Sequence, residues 1–345
     1  MRRQQDSAKL IRFVARRTSV LFKLRVYMEL FSKAKRKFRM KRLLRTAASR
    51  VNRALARVPF AARAYLRFAG PLTRLLPSGY LKTKIYYEMV AIPWPDVNLP
   101  AVDVEVAPHC SVKIVPHVRE FDFRAHFDTV LHYERPVFDW LSTRKYTNAI
   151  EIGANVGIYT VFLSVLVGPT GKVFAFEPSA EAFRRLLTNL SLNRTSNVQP
   201  FQCAIGASSG FVKFYEPEGH LTNGSLLPDF AAIFSDRISV RTSVAVQGAL
   251  VEDLVTDGRI LLKIDAEGAE EVILRAMESF IVRRRPDILL EVLPAFETGL
   301  NSLRFLGESG YKFFNLTKDG PIEQPLLIAT DFRDYALMPL SDLNR

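Results

Sequence analysis

The run Asn148-Ala-Ile-Glu-Ile-Gly-Ala-Asn-Val-Gly-Ile-Tyr-Thr160, an apolar helical pattern, and then Val173-Phe-Ala-Phe-Glu-Pro178 decide the fold. They read as a buried strand, a glycine turn, a helix, a second buried strand and a carboxylate at that strand's tip. Gly153 and Gly157 permit a sharp turn and leave room for a ligand to approach the main chain. Glu177 follows Gly153 by 24 residues, where an acid accepts hydrogen bonds from ribose hydroxyls in a doubly wound sheet. The stretch is therefore the beginning of a nucleotide-type cofactor site.

Strand and helix patterns alternate from here without interruption. Helical spacing covers Ile158–Val167, stopped by Gly168-Pro169, and Ala180–Asn193, with Arg184 and Arg185 outward. A third strand is expected over Val198–Ile205, then an irregular insertion to about Val240. Ile260–Asp265 and Ile288–Val292 read as the fourth and fifth strands, with a helix over Ala269–Phe280 between them. Leu300–Gly307 reads as helix, and Tyr311–Leu316 and Leu326–Ala329 as late strands. Upstream, Pro136 near a helix start and apolar Val137, Phe138 and Leu141 predict a helix packing just before the first strand. Alternating units of this length mean an α/β three-layer sandwich with a mainly parallel sheet.

Ligands of such sheets collect at the carboxyl ends of the strands. Those ends carry Glu151 with Gly153–Gly157, then Glu177, Ala204–Gly206, Asp265-Ala-Glu-Gly268 and Glu291. A dinucleotide site wants Gly-x-Gly-x-x-Gly, whose second glycine admits a pyrophosphate. Here the order is Gly153-Ala-Asn-Val-Gly157, with no glycine two residues after the first. Glu151 would repel phosphates but suits an ammonium group. S-adenosylmethionine has no phosphate, an ammonium group and a ribose diol, so the chemistry favours it over NAD.

Composition bounds the rest. The 345 residues, 48% of them apolar, allow one large domain with extensions or two modest ones. Cys110 and Cys203 give neither a disulfide framework nor a zinc spacing, which fits a reducing compartment. No run long and apolar enough for a transmembrane helix occurs, and the N-terminus lacks the pattern of a signal peptide. The expected location is cytoplasmic, peripheral at the inner membrane surface if the N-terminal arm binds lipid. The net charge of +13 divides unevenly: residues 1–80 hold 22 Lys/Arg and two acids, +20, which leaves −7 for the remainder. Lys33, Lys35, Arg36, Lys37, Arg39, Lys41 and Arg42 form the densest basic block, among apolar residues at helical spacing. A basic amphipathic arm over residues 1–60 suits an anionic membrane surface; a solvated extension or an arm docked on another subunit are the alternatives. No nucleic-acid module accompanies the charge. Three regions result: a basic helical extension over 1–70, a connecting or lid subdomain of loops and short strands over 71–130, and a catalytic domain over 131–345.

Six motifs now carry a resemblance. Glu151-Ile-Gly-Ala-Asn-Val-Gly157, Phe176-Glu-Pro-Ser-Ala-Glu-Ala-Phe183, Asn189-x-x-x-Asn193, Ala204-Ile-Gly206, Lys263-Ile-Asp-Ala-Glu-Gly-Ala-Glu270 and Arg285-Pro-Asp-Ile-Leu-Leu-Glu291 resemble, in order and spacing, the FkbM-type methyltransferases. The resemblance spans about residues 133–316; it departs at Glu151, where the family usually has Asp. It implies a class I, Rossmann-like S-adenosylmethionine-dependent fold and O-methylation of hydroxyls, often on sugars, glycolipids or polyketides. Carried over residue by residue, Glu151, Gly153, Ala154, Asn155 and Gly157 would hold the methionine end, Glu177 the ribose, and Ala204 and Ile205 the adenine.

A sugar hydroxyl is a poor nucleophile, so a base within hydrogen-bond reach is expected. The candidates are Asp265 and Glu267, with Glu291 and His220 behind them. Lys263 points the same way as Asp265 along a strand, and either tunes an acid or forms a structural ion pair. His220 lies in the insertion Glu218-Gly-His-Leu-Thr-Asn-Gly-Ser225, the expected acceptor side, and is a base or a plain surface histidine. No metal site is expected. The expected function is transfer of a methyl group to a hydroxyl of a small-molecule, glycan or lipid-linked acceptor. The alternatives are an NAD-dependent oxidoreductase and a non-catalytic binding protein of the same fold.

Overall fold

The computed structural model describes residues 51–77, 80–118, 120–132 and 134–340. The expected basic arm over 1–50 lies outside the described residues. The chain divides into two units at Ala62/Arg63, and the first is helical over its described residues 51–56.

The second unit opens in helix α1 (Pro59–Arg74), which begins just before the boundary, and α2 (Tyr80–Val90). The prolines at 71 and 77 had suggested loops here. Pro71 instead sits inside α1, whose Leu66 and Gly70 face is buried, so packing overrides the lost backbone donor. A hairpin follows, β1 (Val102–Ala107) and β2 (Cys110–Ile114), then a 3-10 helix Phe121–His126 and helix α3 (Arg135–Ser142) with Pro136 in its first turn.

The main unit continues through β3 (Asn148–Ile152), α4 (Ile158–Val167), β4 (Lys172–Phe176), α5 (Ala180–Asn193) and β5 (Val198–Phe201). Next come β6 (Ala204–Gly206), β7 (Gly210–Pro217), α6 (Pro228–Ala232), β8 (Ile238–Gln247), β9 (Ile260–Ile264), α7 (Glu270–Ala276), α8 (Glu278–Arg284) and β10 (Asp287–Glu291). The chain ends in α9 (Glu297–Asn301), α10 (Arg304–Glu308), β11 (Tyr311–Thr317), β12 (Gly320–Gln324) and β13 (Asp334–Pro339).

Eight strands form the central sheet in the order β12-β11-β13-β10-β9-β3-β4-β5, parallel from β10 to β5 and antiparallel beyond β10. The parallel strands are buried on both faces, hence their unbroken apolar runs. Ala149, Val173 and Leu261 join α4 and α5 in one core; Ile150, Phe174 and Leu262 join α7 and α8 in the other. The winding reverses between β3 and β9, the crevice where α/β sheets bind ligands.

Four expectations change. The third strand ends at Phe201, and Ala204–Gly206 belongs to a separate sheet of order β6-β8-β7. The insertion expected to be irregular holds β7 and the start of β8, whose residues are mostly exposed and so carry no clear apolar alternation. The helix over Ala269–Phe280 breaks at Met277, and the one over Leu300–Gly307 breaks between Asn301 and Arg304. The last strand is Asp334–Pro339; Leu326–Ala329 is not a strand.

The Asn189-x-x-x-Asn193 motif has a structural account. Asn189 Oδ1 accepts from Val115 N at 3.0 Å while its Nδ2 donates to Val156 O at 2.8 Å. Asn193 both accepts from and donates to the backbone of Lys113, at 2.8 and 2.7 Å. One turn of α5 thus pairs with the free edge of β2 and ties the upstream hairpin to the glycine loop. Asn189→Ala leaves two backbone groups unpaired, and the expected loss is about 1–3 kcal/mol in urea unfolding; an unchanged midpoint would refute this tie.

Candidate active site

Glu151 lies inside β3 and is paired in register with Lys263 of β9, so both side chains stand on the α4 face of the sheet. Thr160 Oγ1 of α4 donates to Glu151 at 2.7 Å, and the Lys263 ammonium sits 4.5 Å from the centre of the Tyr159 ring. Lys263 also donates to Asp265 Oδ2 at 3.0 Å. Burial alone would lower the lysine's pKa, yet Asp265, Glu151 and Glu134 together hold it above the ordinary value.

The glycine loop is shaped by close approach. At Gly153 (φ +84°) an added Cβ would lie 1.8 Å from the carbonyl oxygen of Asp265, so no other residue fits between the ends of β3 and β9. Gly153 N and Ala154 N both donate to Phe176 O at 3.0 Å, and Asn155 N donates to Glu177 Oε2 at 2.8 Å. Ser179 N donates to the other Glu177 oxygen, also at 2.8 Å. Glu177 therefore staples the first loop to the second, and each of its oxygens keeps lone-pair capacity for a ligand hydroxyl. Glu270 does the same for the third loop, accepting from Ala266 N and Gly268 N. Burial raises Glu151, Glu177 and Glu270 each to about 7.

Two cavities meet at these loops. The smaller is an apolar slot walled by Phe176, Pro178, Ala204, Ile205, Phe214 and Leu226, with Glu177 at its edge. The larger, about 700 Å³, is lined by Lys263, Glu134, Glu151 and Glu291 and by aromatic side chains that include Tyr86, Phe121, Phe230 and Phe296. Gly153, Asn155, Thr222, Asp265 and Glu267 line both. Every residue proposed from sequence thus lies in or beside this one site, with different immediate surroundings. Ala154 and Gly157 line the larger cavity, not the slot. His220 is exposed at the larger cavity's rim, its ring 5.9 Å from that of Phe234. Glu267 takes the left-handed conformation (φ +52°), and burial holds its carboxyl well above the usual range.

Three further carboxyls join them. Glu134 hydrogen-bonds Tyr159 and is raised to about 8, first by burial and then by Asp334 and Asp265. Asp334, opposite Glu291 in the β10–β13 ladder, is raised to about 7 by burial and by Asp265. Glu291 reaches about 10 through burial and the neighbouring Asp265 and Glu267, with Arg333 at 3.9 Å. Sequence reasoning had ranked Glu291 behind Asp265 and missed Glu134, Tyr159, Arg333 and Asp334. Asp334 was recoverable, since Tyr335–Met338 is an apolar run typical of a buried strand.

Residues 151–313 match the family model described as the methyltransferase FkbM domain. This chain contains an FkbM domain. The chain is 28% identical over 131 residues to the hexuronic acid methyltransferase AglP of Haloferax volcanii, covering 37% of this chain and 48% of that protein. It is 26% identical over 144 residues to Methyltransferase 1 of Beauveria bassiana, covering 37% and 57%. A crystal structure of methyltransferase FkbM from Methylobacillus flagellatus superposes with a TM-score of 0.35 at 14% identity, over 55% of this chain and 43% of that one. The chain spans about half the length of the curated relatives it matches. Glu134, Arg333 and Asp334 lie outside the matched FkbM domain, while Lys263, Asp265, Glu267 and Glu291 lie within it.

The raised carboxyls fix a sign. A carboxyl whose folded pKa exceeds its unfolded value of about 4.3 binds its proton more tightly in the native state, so stability falls as pH rises between the two. With Glu151, Glu177 and Glu270 near 7, the ligand-free protein is expected to melt at lower temperature at pH 8 than at about pH 5. Glu270→Gln flattens that slope; a melting temperature that climbs through the same range contradicts the assignment.

Proposed function

We propose that this chain is an S-adenosylmethionine-dependent O-methyltransferase acting on an uncharged hydroxylated acceptor such as a sugar or glycolipid. One observation carries the reading. An apolar slot edged by Glu177 and an acid-lined, aromatic-walled cavity meet at Gly153, Asn155, Asp265 and Glu267. A cofactor in the slot and an acceptor in the cavity would face each other there, and juxtaposition supplies much of the acceleration of a methyl transfer.

The residues present fit the cofactor. Asn155 Oδ1 is buried with no hydrogen-bond partner, an acceptor suited to an ammonium group. Glu177 retains capacity for ribose hydroxyls, and Ala204 and Ile205 form buried apolar walls for a base. When bound, the cofactor supplies an electrophilic methyl group on a sulfonium sulfur.

The acids divide into two roles. Glu291, at about 10, keeps its proton at neutral pH and serves as a donor to an acceptor oxygen. Asp265 has one oxygen tied to Lys263, and its other oxygen has no hydrogen-bond partner among the described residues. Asp265 is the base of this reading, Lys263 its orienting partner, and Glu267 and His220 flank the acceptor.

The cavity's charge narrows the acceptor class. Its two cations at the chemical end, Lys263 and Arg333, are both engaged, with Asp265 and Glu291. Glu120, Glu134, Glu151 and Glu267 add acid without a matching base among the lining residues. An acceptor carboxylate would be repelled, so a hexuronate is disfavoured although one relative's name specifies it.

Calorimetry with S-adenosylhomocysteine tests the cofactor: absence of binding heat ends the methyltransferase reading. Asp265→Asn is expected to lower turnover by about 10²–10⁴-fold with cofactor affinity nearly unchanged. Parallel loss of affinity would move Asp265 into the cofactor site. In a labelled-methyl screen, neutral glycosides are expected to accept methyl and the matching uronates to fail; preference for the uronate would overturn the charge argument.

A further inference from the structure

Helix α1 carries an apolar stripe on the wrong side. Phe68, Leu72, Leu75 and Leu76 follow helical spacing from α1 into the turn after it, and are 65%, 63%, 82% and 37% exposed. They are not a frayed piece of core. The opposite face is fixed: Leu66 is fully buried, its carbonyl accepts from His126 Nε2 at 2.7 Å, and Arg74 Nε donates to His126 O at 3.1 Å. An added Cβ at Gly70 would lie 2.4 Å from His126 Nε2, so helix and histidine ring are in close contact. The stripe is thus held outward by a helix seated on its other side.

Charge selects the occupant. Residues 63–76 contain Arg63, Arg67 and Arg74 and no acid; Arg63 and Arg67 are exposed beside the stripe. Residues 1–80 as a whole hold 22 Lys/Arg against two acids. A second copy of this chain would bring the same excess of +20 against it and be repelled. Nucleic acid would satisfy the arginines but gains nothing from four exposed aliphatic and aromatic side chains. A bilayer with anionic headgroups accepts both, apolar side chains among the acyl chains and arginines at the phosphates.

We infer that the outer face of α1 docks in the plane of an anionic lipid bilayer. The surface lies beside the larger cavity's wall: the 3-10 helix that seats α1 contributes Phe121 to the cavity, and α2 contributes Tyr86, Tyr87 and Val90. The inference does not depend on the proposed reaction, since it concerns a surface outside the chemistry.

The full chain carries two tryptophans, Trp94 and Trp140, both buried. In Leu75→Trp a third would sit on the stripe and report its surroundings. Vesicles of equal parts phosphatidylglycerol and phosphatidylcholine are expected to shift its emission to the blue, and pure phosphatidylcholine vesicles are not. The triple variant Phe68→Ser/Leu72→Ser/Leu75→Ser, checked for an unchanged thermal melt, is expected to bind the anionic vesicles at least about tenfold more weakly. An unshifted emission at residue 75 overturns the inference. So does undiminished binding of the triple variant, which would leave attraction by the basic arm alone, or a shift produced by RNA and not by vesicles.

Discussion

Lys263 carries a buried positive charge at the crevice of the sheet, and the carboxyls of Asp265, Glu151 and Glu134 are disposed around it. The rest of the site depends on this balance. A buried ammonium is tolerated only when paired and hydrogen-bonded, and removing it would leave several carboxyls facing one another in a poorly solvated space. Such a cluster is weak evidence for stability, because apolar replacements of the same shape would fold as well. Its value lies in orientation. The register pairing Glu151 with Lys263 fixes where the charge sits, and the hydrogen bond to Asp265 turns that carboxyl at the strand's end. The surplus acids respond by keeping protons, most strongly Glu291, so one cation organises groups in more than one protonation state.

Two other carboxyls act on backbone. Glu177 and Glu270 each accept two main-chain N–H groups from loops that would otherwise leave those donors unpaired. They set the loops' shape, and through them the distance between β3 and β9 that only glycine at 153 allows. The slot and the larger cavity meet at that gap. Rigid loops at a strand's carboxyl end are what a positional reaction needs, since small misplacements of reacting groups are costly.

The parts legible in the sequence are those whose causes are local. A strand, glycine turn and helix announce themselves by apolar runs and punctuation, and Gly153, Gly157 and Glu177 stand where that pattern put them. Lys263, Asp265 and Glu267 followed because a parallel strand delivers its carboxyl end to the crevice. Asp334 escaped for the opposite reason: β13 runs antiparallel, so its first residue, not its last, reaches the rim beside Glu291. Glu134 escaped because it precedes a helix and enters the cavity through tertiary packing, which no spacing encodes. Pro71 misled because proline was read as a helix breaker where a buried face holds the helix together. The β6-β8-β7 sheet was hidden by β8, whose outward residues show no apolar period.

These failures fall on one side of the site. The slot is built from residues within a single stretch of about 120, from Gly153 to Ile273, inside the FkbM domain. The larger cavity draws on α2, the 3-10 helix at Phe121–His126, the insertion before β8 and the segment around Arg333. Asn189 and Asn193 show how the two are coupled, since motif residues of the domain hydrogen-bond the edge of an upstream hairpin. The domain therefore contributes a docking surface for the segment before it as well as the slot. A fold of this kind keeps its invariant chemistry in local, strongly punctuated sequence and assembles its selective wall from distant pieces, where packing decides and sequence pattern is silent.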